Sequence, residues 1–128
     1  MKIVSFILVI FLLSSCDIAT QTDFYINNNT NDTLKIEYSC YTVSNGTPQN
    51  YHIQPGELFY VTFVGDRTGY SGVSDYYTNE MTLFSNLVVI KQDTIISTSD
   101  FLSRTEWIWT KSSKSSAKYV LNIYYSDF

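Results

Sequence analysis

Cysteine is scarce in this 128-residue chain: it has two, with two prolines, five glycines and a single histidine. So few cysteines exclude the disulfide framework on which many small secreted domains depend. One histidine, His52, leaves a single candidate base for a Ser-His-Asp hydrolase, and nothing like a nucleophile elbow surrounds it. Alanine is almost absent and no segment repeats apolar residues at the helical period, which excludes a helix bundle. Positive charge is also short: eight Lys and Arg stand against twelve Asp and Glu, a net charge of −4. That balance excludes the basic surface that nucleic-acid binding needs.

What the chain does have is an apolar run at its start. Lys2 precedes residues 3–13, which are apolar except for Ser5, and Leu13-Ser14-Ser15-Cys16 follows. The run fits the apolar segment of a secretory signal, ~7–15 residues long, and is too short to span a bilayer. A Leu-Ser-Ser-Cys tetrad at this point resembles the lipobox of bacterial lipoproteins. The resemblance implies a signal peptide over 1–15, cleavage before Cys16, and acylation, palmitate included, of Cys16 as the first mature residue. It places the protein in the cell envelope, lipid-anchored, at an outer membrane facing the periplasm or the cell surface. The 113 residues that remain make one domain, which can bury ~65% of its unfolded surface in a single core. Loss of Lys2 takes the mature net charge to −5, so membrane contact is expected through the acyl chains and not through basic residues. Residues 16–23 read as the lipidated cysteine and a tether of at most ~25 Å, with the domain over 24–128.

Eleven Tyr and eight Phe, with abundant Thr, Ser and Asn, give that domain a strand-and-turn composition. A short strand is expected at 24–26, ended by the Asn-rich turn 27–32. The clearest alternation runs from Leu34: Leu34, Ile36, Tyr38 and Cys40 share one face, and Lys35, Glu37, Ser39 and Tyr41 the other. Asn45-Gly46-Thr47-Pro48 marks a hairpin turn before a strand at 51–54. Residues 58–64 read as a strand buried on both faces. Further strands are expected at 81–84, 87–91, 95–96, 107–109 and 119–125, with one helical turn over 99–104 capped by Ser99. Seven to eight short strands with turn signals between them point to an all-β fold, a single immunoglobulin-like antiparallel β-sandwich in architecture, with a small open barrel as the alternative. Asn-Asp-Thr-Leu, then Ile-Gln-Pro-Gly-Glu and a late Trp-bearing strand resemble small Gram-negative envelope lipoproteins with such a domain, a resemblance that implies no activity.

Candidate chemistry is thin. A hairpin turning about residue 47 would set His52 opposite Thr42, diagonal to Cys40, at ~7–8 Å between Cα atoms. That pair suggests a thiol nucleophile and its base, against the plainer reading of Cys40 as a small core residue. Cys40, His52 and Met81 have soft-metal ligand chemistry but no supporting spacing. Asp66, Asp75 and Glu80 offer paired carboxylates or oxygen ligands around the irregular stretch 65–79, against the plainer reading of a solvated turn. Aromatic residues are the better lead. Trp107 and Trp109 lie two apart and share a strand face, and Tyr70, Tyr76 and Tyr77 lie in the irregular stretch. Exposed, they would serve as stacking planes for sugars or anchors for a protein; buried, the tryptophans would fill the core. Asp32-Thr33-Leu34 and Asp93-Thr94-Ile95 resemble O-glycosylation acceptors of some Gram-negative anaerobes, through Thr33 and Thr94. The sequence therefore reads as a lipid-anchored envelope protein without catalytic residues, metal or cofactor, which contacts an envelope protein or a glycan through the stretch 65–79. The alternative is a carbohydrate-binding module built on the exposed aromatics.

Overall fold

The computed structural model describes residues 19–67 and 72–128. Two four-stranded sheets pack face to face, as the sequence pattern predicts. Strands β1 (Ala19–Asn28), β4 (Leu58–Arg67), β8 (Ser116–Ile123) and β7 (Trp107–Lys111) form the first sheet in the order β4-β1-β8-β7. Strands β2 (Leu34–Cys40), β3 (Gln49–Ile53), β5 (Phe84–Lys91) and β6 (Ile95–Ile96) form the second in the order β3-β2-β5-β6. All pairs are antiparallel except the central β1–β8 pair, which joins the first strand to the last in parallel. In a constant-type immunoglobulin domain the first, second, fifth and fourth strands share a sheet. The strand order here is different, and the likeness is one of architecture.

Period-2 alternation builds the core. Phe24 and Ile26 of β1, Leu34, Ile36, Tyr38 and Cys40 of β2, Trp107 of β7, and Tyr119, Leu121 and Ile123 of β8 turn inward and are buried. Aromatic rings dominate the centre. Phe24 stacks on Tyr119 at 5.2 Å and Phe84 on Trp107 at 5.4 Å, with Phe24 edge-on to Phe84 and Trp107 at 6.2 Å. Such pairs add ~0.5–1.5 kcal/mol each beyond the area they bury.

Buried polar groups close the ends. Asn28, fully buried, donates to the carbonyls of Asp32 (2.8 Å) and Ile53 (3.1 Å) and accepts from the Thr30 amide and hydroxyl. This network folds the Asn-rich turn and ties it to β3. The β5–β6 hairpin turns on Gln92 (φ 52°) and Asp93 (φ 59°), two successive left-handed residues as in a type I′ turn.

Several expectations are corrected. The first strand does not begin at residue 24: β1 starts at Ala19, whose partner in β4 is Arg67, because Thr20 and Thr22 continue the inward alternation of Phe24 and both are buried. Residues 81–84 and 87–91 do not make two strands; Phe84–Lys91 is one, preceded by a turn in which the Phe84 amide donates to Met81 O. The helical turn forms later, over Arg104–Glu106, and Ser99 does not cap it: its hydroxyl donates to Asp127 Oδ1 at 2.8 Å. β4 is not buried on both faces. It is an edge strand whose register with β1 shifts between Phe24 and Tyr25, and Leu58, Tyr60 and Phe63 are exposed.

Candidate functional site

Residues 72–79 connect β4 to β5 without regular structure, yet they are fastened to the sandwich at successive points. Gly72 (φ 75°) passes so close to the β7–β8 turn that a Cβ on it would stand 2.5 Å from the Lys114 carbonyl oxygen. Only glycine has both the backbone freedom and the missing side chain. Val73 then donates its amide to that same carbonyl at 2.9 Å and is buried. Farther along, Arg104 donates its amide to Asn79 O at 2.9 Å, and Met81 its amide to Leu102 O at 2.8 Å.

The strongest fastening is at Asp75. Its carboxylate accepts from the Arg104 guanidinium on both oxygens and from the Tyr119 hydroxyl. Arg104 also lies over the Tyr119 ring, 5.0 Å from its centre, and donates to the Trp107 carbonyl. Desolvation pushes the Asp75 carboxyl up, but the hydrogen bonds from Arg104 and Tyr119 and the guanidinium charge outweigh it and hold the group below its ordinary value. The same contacts raise Arg104. Burial first, then the Asp75 hydrogen bond, keeps the Tyr119 phenol protonated far above its ordinary value. Bidentate Arg–carboxylate geometry makes this a clamp of fixed orientation.

With the loop held, its tyrosines divide. Tyr77 is half-buried, edge-on to Phe24 (6.1 Å) and Tyr119 (5.4 Å), and belongs to the core. Tyr76 is 54% exposed. Together with Thr78, Asn79, Glu80 and Thr82 they line an open cavity of about 350 Å³, one aromatic face among hydroxyl, amide and carboxylate groups. A second recess under Tyr76 and Tyr77, bounded by Thr20, Thr22, Phe24, Val64, Asp66 and Tyr119, holds only about 30 Å³. That is room for a water molecule and no ligand.

The other candidates fare differently. Trp107 is buried, and its indole Nε1 donates to Phe101 O at 2.8 Å. Trp109 is half-buried against the same core, with its buried Nε1 lacking a hydrogen-bond partner. The shared strand face therefore points inward, and the pair offers no exposed stacking plane. Tyr70 and Cys16 lie outside the described residues. The expected neighbourhood of Cys40 and His52 does not form. The β2–β3 register sets His52 opposite Lys35, since the hairpin is centred between residues 43 and 44 and not about residue 47, and Cys40 pairs with Phe84 in β5. Cys40 is fully buried, its Sγ 3.0 Å from the Thr42 hydroxyl, while His52 is exposed. Asp75 is occupied by Arg104 and Tyr119, and among the described residues no three His, Cys, Asp or Glu side chains gather as metal ligands would.

Thr33 and Thr94, both exposed, stand at the same end of the second sheet. The recess there, about 260 Å³, is lined by Asp32, Thr33, Lys35, His52, Gln92 and Asp93, next to Thr94. Arg104, 29 residues from Asp75 in sequence, is the site residue that sequence reading missed. No family model, curated protein or solved structure matches the chain.

Proposed function

We propose that this chain is a non-catalytic, lipid-anchored protein of the cell envelope, held through Cys16, which engages an envelope protein with the clamped loop 72–79. The observation that carries the loop assignment is Tyr76: a large aromatic ring left 54% exposed on an irregular segment that Arg104, Tyr119 and the Lys114 carbonyl hold in one position. A fixed loop loses little entropy on binding, and tyrosine supplies contact area with few rotamers to freeze. Attachment at Cys16 rests on the Lys2, apolar-run and Leu-Ser-Ser-Cys pattern; among the described residues no helix is long and apolar enough to cross a membrane.

A photo-crosslinking residue at position 76, introduced in cells that make the protein, tests the loop. A discrete adduct that weakens at least about tenfold in an Asn79→Ala background is the expected result. No adduct, or one indifferent to Asn79, overturns the loop assignment. Fractionation tests the anchor separately: Cys16→Ser should move the protein from the membrane to the soluble fraction.

The carbohydrate-binding alternative draws support from the polar lining of the cavity, because Thr78, Asn79, Glu80 and Thr82 beside one tyrosine ring suit a hydroxyl-rich ligand. The tryptophans supply no second stacking plane for it, since both turn inward. Calorimetric titration with purified envelope polysaccharides distinguishes it, since saccharide heat lost in Tyr76→Ala would favour this reading over a protein partner.

A further inference from the structure

Alternation along β1 and β8 turns Phe24, Ile26, Tyr119 and Leu121 inward and leaves Asp23, Tyr25, Asn27, Lys118, Val120 and Asn122 on the outer face of the first sheet. The strand register arranges this face in rows. One row crosses all four strands as Tyr60, Tyr25, Val120 and Ile108. Tyr60 is 46% and Ile108 57% exposed, and the rings of Tyr25 and Tyr60 meet edge-on at 5.5 Å. The row on one side reads Phe63, Asp23, Lys118, Thr110, and on the other Leu58, Asn27, Asn122. An unbroken apolar row with Leu58 and Phe63 exposed at one edge is unusual for a surface that meets only water.

Charge placement identifies the occupant. Because β1 and β8 run parallel at the sheet centre, a two-fold axis along the strands between them sets β1 of one copy over β8 of its partner, pointing the same way. Each row then meets its own complement: Asp23 over Lys118, Tyr25 over Val120, Tyr60 over Ile108 and Asn27 over Asn122, every contact made twice. Within one chain Asp23 and Lys118 do not pair with each other: the ion pairs among the described residues are Lys35–Glu37 and Arg104–Asp75, and the Asp23 carboxylate accepts instead from the exposed Gln21 side-chain amide at 2.7 Å. We propose that this face binds a second copy of the chain as an isologous dimer, face to face. Four strands at ~4.8 Å spacing and seven residues at ~3.4 Å give a projected face of ~460 Å². That is below the ~800 Å² per partner of a standard interface, so the dimer is a weak one. Neither Cys16 nor Tyr76 takes part, and the proposal stands apart from the loop and the anchor.

Sedimentation of the purified full chain carrying Cys16→Ser tests it. The expected result is a concentration-dependent dimer, with Asp23→Lys and Lys118→Asp each raising the dissociation constant at least about tenfold through two like-charge contacts. The double variant D23K/K118D restores the ionic contacts in reverse and should return the constant to within about threefold of the starting protein. Should either single variant lose its thermal transition, Ile108→Lys at the rim serves instead and abolishes the dimer. A monomer up to about 1 mM in the unsubstituted chain overturns the proposal. So does a folded double variant that remains as weakened as the singles, the outcome expected if a different partner occupies the face.

Discussion

The outer faces of the two sheets are built by the same alternation and treat their central charges differently. In the second sheet the central strand β2 turns Lys35 and Glu37 outward, and their side chains pair at 2.6 Å. In the first sheet the corresponding centre, β1 and β8, turns Tyr25 and Val120 outward, beside a row in which the acid Asp23 and the base Lys118 are neighbours that do not pair. One face pairs its central acid and base within the chain; the other leaves Asp23 and Lys118 unpaired with each other beside an apolar row. The inner faces show no such contrast, since both sheets contribute buried aromatic and aliphatic residues to one core. What distinguishes the sheets is therefore their solvent sides, and substitutions should separate inner from outer positions before they separate one sheet from the other.

The largest effect is expected on β7, where neighbouring residues face opposite ways. Trp107 is buried against Phe24 and Phe84 and donates to Phe101 O; Ile108 is 57% exposed. Trp107→Ala should cost about 3–5 kcal/mol in chemical denaturation, from lost burial, a cavity and an orphaned carbonyl. Ile108→Ala should change monomer stability by about 0.5 kcal/mol or less. A larger cost at Ile108 than at Trp107 would mean that the sheet's faces are assigned the wrong way round.

An intermediate effect is expected at the clamp. Tyr119→Phe keeps the ring stacked on Phe24 and removes only the hydroxyl that Asp75 accepts, so about 1 kcal/mol should be lost. The Asp75 carboxyl is held below its ordinary value, so its contribution is complete above the unfolded-state value of ~3.9 and disappears as pH falls through the lower folded-state value. Amide exchange of Val73 and Met81, followed from neutral pH downward, should accelerate beyond its intrinsic rate only below about pH 4. In Asp75→Asn the acceleration should be present throughout, because a neutral amide cannot replace the charge paired with Arg104. Exchange that already accelerates well above pH 4 in the unsubstituted protein would implicate a group other than Asp75.

The strands were legible wherever one face alternates cleanly. Leu34, Ile36, Tyr38 and Cys40 are all buried as the pattern requires, and the short strand expected at 95–96 forms. Legibility failed where a residue's partner decides its environment. Thr20 and Thr22 look like a polar tether and are buried strand residues only because β4 and β8 flank them. Trp107 and Trp109 share a face by spacing alone, but whether that face is inner or outer depends on which side the second sheet packs. At the candidate site, Tyr76 and Tyr77 were found as aromatics in a long irregular stretch, whereas Arg104 was not, since nothing local signals a partner 29 residues away. The His52–Cys40 error has the same origin: alternation sets faces within a strand, and the connection between strands sets the register.

The smallest effect is expected on the outer face of the second sheet, and it decides whether the two solvent sides truly differ. Lys35 and Glu37 are each about a third exposed at their side chains (31% and 35%), so their ion pair works in a high dielectric. Exposed pairs of this kind are worth ~0.2–1 kcal/mol and weaken as salt rises. A double-mutant cycle of Lys35→Ala and Glu37→Ala should therefore give a coupling at the low end of that range, fading in 1 M salt, where the screening length is ~3 Å. Self-association should be the same in all four proteins, because the pair lies on the sheet opposite the proposed dimer face. By contrast, Asp23 and Lys118 should show little coupling in the stability of the monomer and a strong one in the dimerisation constant. If the cycle at Lys35 and Glu37 moved dimerisation as much as Asp23 and Lys118 do, charge on either face would be acting through the net field of the chain, and the specific contact assigned to the first sheet would be lost.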